Sequence, residues 1–160
     1  MNTPHVFNPH QQINEVVLVG LGGTGSQWAR GLARIVYDLR RRRQHVPALR
    51  FVDPDRVEAR NCGRQMFVEN DIGQFKAEVL ARRFNLAMGL SITWHNEPFN
   101  AEEHVGRCGT LLCGAVDNHL ARAELARVNG CLWIDAGNHA TGGSGQVVIG
   151  NWYENRVTGG

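Results

Sequence analysis

The run Gly20-Leu21-Gly22-Gly23-Thr24-Gly25 follows directly on the apolar residues Val16–Val19 and leads into Ser26–Leu39, where Trp28, Leu32, Ile35, Val36 and Leu39 recur at helical spacing. A strand, a glycine turn and a helix in that order restrict the chain to folds built from βαβ units. Glycine is needed in such a turn because a Cβ would block both its tightness and the close approach of a ligand. Backbone N–H groups and the helix N-terminus would there face an anion. A glycine turn that holds nothing is the plain alternative.

The rest of the chain repeats the alternation. A second strand, Leu49–Asp53, comes after the run Arg40–Arg43, which reads as the exposed end of a helix passing into a loop. After a long loop, Pro54–Gly73, a helix is expected over Gln74–Met88 with Val79, Leu80 and Phe84 on one face. Leu90–Glu97 alternates like a third strand, Ala101–Gly106 suits a short helix, and Thr110–Gly114 is an apolar fourth strand. Asn118–Val128 is the next helix, capped by Asp117 or Asn118, and Cys131–Asp135 the fifth strand. Gly145–Asn151 is a sixth, and its connector is too short for a crossover helix, which implies antiparallel pairing. The expected architecture is α/β and Rossmann-like: a mostly parallel sheet, helices on both faces, and an antiparallel last strand. Residues 1–14 read as an irregular arm, 15–152 as one domain, and 153–160 as a polar tail leading into a downstream segment.

Composition excludes several classes. At 160 residues and 42% hydrophobic content, one domain with a real core is expected. A net charge of +2 gives no mandate for a nucleic-acid or membrane partner. No apolar stretch approaches the roughly 20 residues that span a bilayer, and Met1–Glu15 lacks the zones of a signal peptide, so a cytoplasmic protein is expected. The four cysteines, Cys62, Cys108, Cys113 and Cys131, form no C-x-x-C pair and should be reduced thiols, with Cys113 and Cys131 in the core and Cys62 packing near Arg64. The seven histidines show no metal-ligand spacing.

Asp53 ends the second strand, where a carboxylate can accept hydrogen bonds from ribose hydroxyls. Up to this point a dinucleotide would be served equally well. The stretch beyond the strand breaks the tie: Asp53-Pro-Asp55-Arg-Val-Glu-Ala-Arg-Asn61-Cys-Gly-Arg64-Gln65, then Gly73-Gln-Phe-Lys76. A guanidinium and an ammonium near a phosphate turn suit a triphosphate, which carries more charge than a pyrophosphate diester. A carboxylate such as Asp117, just after the fourth strand at the carboxyl edge of a parallel sheet, is where a hard cation could bind. Each residue also has a plain reading, Arg64 as a surface ion pair, Lys76 as an exposed helix residue and Asp117 as a cap.

Taken together, G-x-G-G-x-G, D-x-D-x-V-x-x-x-N-x-x-R-Q, G-x-x-K and a later D-N are similar to the ThiF/MoeB/HesA adenylyltransferases, the bacterial relatives of ubiquitin-activating enzymes. The resemblance runs over Val16–Ile149 and looks closest to the ThiF-like proteins of the PRTRC plasmid-associated system. It implies that Gly20, Gly22, Gly23 and Gly25 hold ATP and that Asp53 takes its ribose. Asn61, Arg64 and Lys76 would contact the phosphates, Gln65 would border the site, and Asp117, beside Asn118, would ligate Mg²⁺. The implied reaction is adenylation of the C-terminal glycine carboxylate of a ubiquitin-like or sulfur-carrier protein with release of pyrophosphate, by a homodimer. MoeB-like members send an N-terminal arginine into the partner subunit's site, whereas here no arginine precedes Arg30. The thioester cysteine of some members lies beyond the counterpart of Ile149, and the C-x-x-C pairs of zinc-binding members lie largely downstream; neither is found in this sequence. Two other classes fit the glycine turn: an NAD-dependent oxidoreductase, which would leave Arg64, Lys76 and Asp117 without a purpose, and a non-catalytic scaffold of the same fold.

Overall fold

The computed structural model describes residues 12–105, 109–128, 131–138 and 145–151. Six strands form one sheet: β1 (Glu15–Val19), β2 (Ala48–Val52), β3 (Thr93–His95), β4 (Thr110–Gly114), β5 (Leu132–Asn138) and β6 (Gly145–Asn151). Their order is β3-β2-β1-β4-β5-β6. All pairings are parallel except β5 with β6, as the short connector requires. The expected Rossmann-like α/β class is therefore what the chain adopts.

Alternation along β1 builds two cores. Val16 and Leu18 point to one face, where they meet Ala29, Ala33 and Val36 of α1 (Gly23–Arg41) and Leu80 and Phe84 of α2 (Lys76–Met88). Val17 and Val19 point to the other, toward Phe99, Leu125 and Val128 around α3 (Ala101–His104) and α4 (His119–Leu125). A strand buried on both sides reads as a continuous apolar run, which is why EVVLV carries no polar alternation. Cys113 and Cys131 lie in these cores, and burial pushes their thiols up to about 12 and about 11. Cys62 is half-buried against the first core, and Cys108 lies outside the described residues.

Several boundaries differ from expectation for physical reasons. Helix α1 starts at Gly23, three residues before Ser26, so the glycines form its first turn, and its buried stripe is the small set Gly25, Ser26, Ala29, Ala33 and Val36. Small residues let the helix sit close on β1, while Ile35 is turned out and 57% exposed. The loop after β2 contains two 3₁₀ turns, Ala59–Asn61 and Glu69–Asp71, each held by its own last side chain. The Leu90–Glu97 strand shrinks to Thr93–His95. Asn85 of α2 takes both backbone groups of Ile92, at 2.7 and 3.0 Å, before the strand can begin. The arginine run is more than a solvated helix end, since Arg40 donates to the Met88 and Gly89 carbonyls at the C-terminus of α2. Asn14, placed in the arm, joins the sheet through Gly109 O and Ala48 N; residues 1–11 and 152–160 lie outside the described residues.

Candidate functional site

The chain runs from β1 toward β2 and β3 on one side, then returns to place β4 on the other side of β1. Such a reversal leaves a crevice at the carboxyl ends of β1 and β4, where ligands of open α/β sheets bind. Gly20, just past β1, and Ala115, just past β4, are packed against each other at that edge. A Cβ at Gly20, whose φ is +86°, would stand 2.7 Å from Ala115 O, so glycine is required by both conformation and space. Gly25 has even less room, because a Cβ there would fall 1.8 Å from Gly20 O. Gly22 and Gly23 face open space instead. Two glycines therefore close the turn and two leave its surface bare.

Asp53 is buried at the end of β2 and clasps the same turn. Its Oδ2 accepts from Leu21 N at 2.5 Å and its Oδ1 from Asp55 N at 2.7 Å. Burial raises its pKa, and these two N–H donors and the nearby Lys76 charge oppose the rise. A carboxylate offers about four lone-pair sites, so acceptor capacity remains for hydroxyl donors. Lys76, expected as an exposed helix residue on its plain reading, is instead buried, with Nζ 3.3 Å from the exposed carboxylate of Asp55. Its backbone N donates to Asp55 O at 2.9 Å, which fixes the start of α2 against the end of β2.

The loop carrying Asn61, Arg64 and Gln65 is tied to the glycine turn through Ser26, just past the end of the glycine motif and without a role in the sequence pattern. Ser26 Oγ donates to Gly23 O at 3.2 Å and accepts from Met66 N at 3.3 Å. Asn61 Oδ1 accepts from Glu58 N at 2.8 Å, and its carbonyl accepts from Gln65 N at 2.9 Å. Gln65 Oε1 is buried without a partner among the described residues. Farther along, Arg83 grips both oxygens of Asp71 at 2.8 and 2.7 Å and also bonds Met66 O. Arg64 is exposed and makes no ion pair among the described residues, so its surface ion-pair reading is not what the fold uses.

After β4, Ala115 N donates to Val19 O at 2.8 Å and carries the chain to Asp117 and Asn118. Asn118 is the cap of α4: its Oδ1 accepts from Ala121 N at 2.8 Å, which leaves its amide nitrogen for a ligand. Asp117 is exposed and has no hydrogen-bond partner among the described residues. An oxygen donor unoccupied by the fold, at the carboxyl edge of the sheet, fits a hard cation that takes one or two carboxylates and completes its shell with phosphate and water.

Another cluster was invisible in the spacing of the histidines. His95, Glu97 and His104 bring one donor atom each within 4.8 Å of one another. Their hydrogen bonds argue against a metal. His104 Nδ1 accepts from Asn100 N at 2.9 Å, so the neutral ring carries its proton on Nε2 and donates it to Glu97 Oε1 at 3.0 Å. To ligate a metal through Nε2, His104 would have to move its proton to Nδ1, which would then face the Asn100 N–H. The cluster is a clasp between β3 and α3, and its histidine bonds hold the Glu97 carboxyl below the ordinary range.

The sequence profile of the ThiF family matches residues 11–157. The chain belongs to the ThiF family. Among solved structures it is similar to TcdA (CsdL), at 26% identity and a TM-score of 0.57, over 71% of this chain and 43% of that one. It is also similar to E. coli tRNA N6-threonylcarbamoyladenosine dehydratase, TcdA, in complex with ATP, at 22% identity and a TM-score of 0.55, over 75% of this chain and 50% of that one. E. coli MccB with selenomethionine MccA gives 22% identity and a TM-score of 0.58, over 78% of this chain and 37% of that one. This chain thus spans half or less of the length of these ThiF-family relatives. No curated protein is detectably similar in sequence. Among the described residues, no helix is long and apolar enough to cross a membrane.

Proposed function

We propose that residues 15–152 form an adenylation domain that binds ATP in the crevice between β1 and β4. Its substrate would be the C-terminal glycine carboxylate of a ubiquitin-like or sulfur-carrier protein. The observation that carries this reading is the charged set on segments tied to one glycine turn: Arg64 exposed and unpaired among the described residues, Lys76 buried with Nζ against Asp55 and its charge acting on Asp53, and Asp117 released from capping by Asn118. A dinucleotide would use the glycines and Asp53 and leave that set idle. The ATP complexes of TcdA and MccB, which share the fold, support the nucleotide.

In the proposed reaction the glycine carboxylate attacks the α-phosphorus of ATP. A new P–O bond forms, the bond to the bridging oxygen of the β-phosphate breaks, and pyrophosphate leaves with the electron pair. Gly22 and Gly23 let phosphate approach the backbone, and Gly20 and Gly25 keep the turn closed. Asp53 accepts from the ribose. Arg64, Lys76 and the amide nitrogen of Asn61 oppose charge on the phosphate oxygens, with Gln65 and the amide nitrogen of Asn118 at the rim. Mg²⁺ held by Asp117 would supply charge neutralisation of the triphosphate. No side-chain nucleophile is needed, and Cys113 and Cys131, buried with raised pKa values, are unfit for one.

The assembly proposed is a homodimer, which sedimentation of the native protein would test against a 17.8 kDa monomer. The activity itself is tested by exchange of labelled pyrophosphate into ATP, in the presence of a ubiquitin-like protein that copurifies with this one. Exchange that disappears when the partner's terminal glycine is deleted supports the assignment. Exchange indifferent to that deletion overturns the substrate.

A further inference from the structure

The carboxyl ends of β4 and β5 enclose a space that two glycines keep open. A Cβ at Gly114 would stand 2.9 Å from Asp135 Oδ1, and one at Gly137 would stand 2.1 Å from Arg122 Nη2. Glycine inside a strand marks close approach of another group. Here the groups are the Asp135 carboxylate, only 10% exposed, and the Arg122 guanidinium, 42% exposed.

Arg122 stands on α4 four residues after the cap Asn118, on the same face, so its side chain reaches back over the start of the helix. Its Nε lies 3.5 Å from Asp135 Oδ2, an ion-pair distance rather than a hydrogen bond. Its Nη2 donates to Val116 O at 3.2 Å. That carbonyl lies in the peptide plane joining Val116 to Asp117, and a planar peptide transmits its orientation to the next Cα. The segment after β4 therefore has three anchors: Ala115 N on Val19 O, Ala115 against Gly20, and Val116 O on Arg122. The Asp117 side chain has none of its own among the described residues.

We infer that Arg122, held in place by Asp135, is a positioning residue that aims the Asp117 carboxylate. The inference rests on the reading of Asp117 as the cation ligand given under Proposed function. It adds a division of labour between the two charges on α4 and β5 and the one in the crevice: Asp135 holds Arg122, Arg122 holds the peptide, and Asp117 meets the cation.

The test uses Arg122→Ala and the milder Arg122→Lys in the full chain, with Mn²⁺ as a spectroscopic substitute for Mg²⁺. Manganese affinity of the ATP complex is read by electron paramagnetic resonance, amide exchange of Ala115 by NMR, and affinity for metal-free ATP by calorimetry. Arg122→Ala should weaken Mn²⁺ binding about 10- to 100-fold, the usual effect of losing a group that orients a ligand. It should also speed exchange at Ala115 and leave metal-free ATP binding within about twofold of wild type. Arg122→Lys should recover part of the Mn²⁺ affinity, because an ammonium can meet either Val116 O or Asp135 but lacks the fork that meets both. Wild-type Mn²⁺ affinity in a folded variant of either kind overturns the inference, and faster exchange without a change in Mn²⁺ affinity does so equally. Arg122→Lys keeps the test decisive if Arg122→Ala does not fold. A wild-type protein that binds ATP but no Mn²⁺ removes the Asp117 reading and the aiming with it, whereas a wild-type protein that binds no ATP removes the proposed function itself.

Discussion

Leu21 N donates a 2.5 Å hydrogen bond to Asp53 Oδ2, so the residue proposed to receive a ribose is also the clasp of the glycine turn. Asp53→Ala should therefore cost stability as well as nucleotide affinity. Hydrogen bonds to charged groups contribute about 1.5–3 kcal/mol each, and relief of the buried charge offsets part of the loss of two. A net loss of about 1.5–3 kcal/mol in urea denaturation is expected. Unchanged stability would show that the turn holds itself.

The four glycines of the turn should separate into two kinds. A Cβ at Gly25 falls 1.8 Å from Gly20 O, a backbone atom that cannot swing aside. Gly25→Ala should lose about 1–3 kcal/mol or more, as overpacking does. Gly23 meets nothing within 4 Å and lies in the first turn of α1, so Gly23→Ala should leave stability within about 1 kcal/mol and weaken ATP binding alone. Thermal melts and calorimetry on the two variants decide the matter, and equal loss of stability would contradict the assignment of space.

Arg64 offers the complementary case, a side chain with no structural work among the described residues. Arg64→Ala should change stability by less than about 0.5 kcal/mol. ATP affinity should fall by about 1.5–3 kcal/mol, the range for a charge-assisted hydrogen bond. Binding equal to wild type in calorimetry would make Arg64 a bystander.

Much of the fold was legible because local pattern and tertiary demand agree. Thr110–Gly114 and Gly145–Asn151 are strands over the residues expected, and the short connector before the latter told its direction. Legibility failed where a partner distant in sequence decides. Leu90–Glu97 alternates throughout, yet Asn85 captures Ile92 and only β2 offers a ladder, so three residues pair. Helix α1 begins at Gly23, with Ser26 N bonded back to Gly22 O and no side-chain cap, a start that a reading by propensity discounts at glycine. In the site, the position of Asp53 at a strand end was readable, whereas its clasp on Leu21 N and the choice between Asp117 and Asn118 as cap needed the geometry. The Arg122 and Asp135 pair depends on β4 lying beside β5, which no local spacing reveals.

The Glu97 clasp predicts a pH dependence. Bonds from His104 and His95 hold the folded pKa of Glu97 below its unfolded value. Its stabilisation is therefore full above the ordinary glutamate range and is lost as pH falls through the lowered value. Asp53 runs the opposite way. Its pKa is raised by burial, so its charge costs stability at neutral pH and the cost is released on acidification. Glu97→Gln isolates the first effect. The gap in urea midpoint between wild type and this variant should be widest near neutrality and close on the acid side of the ordinary glutamate range. A gap independent of pH would mean the clasp acts through packing alone.

The central claim is that the crevice takes ATP, and comparison with NAD tests it most directly because both ligands would use the glycine turn and Asp53. Thermal melts should be run with Mg·ATP and with NAD over the same concentrations. A ligand at about 100 times its dissociation constant stabilises the folded state by about 2.7 kcal/mol. At about 2–4 °C per kcal/mol for a domain near this size, Mg·ATP should raise the melting temperature by about 5–10 °C, with NAD giving a small fraction of that. Equal or greater stabilisation by NAD would contradict ATP as the ligand of the crevice.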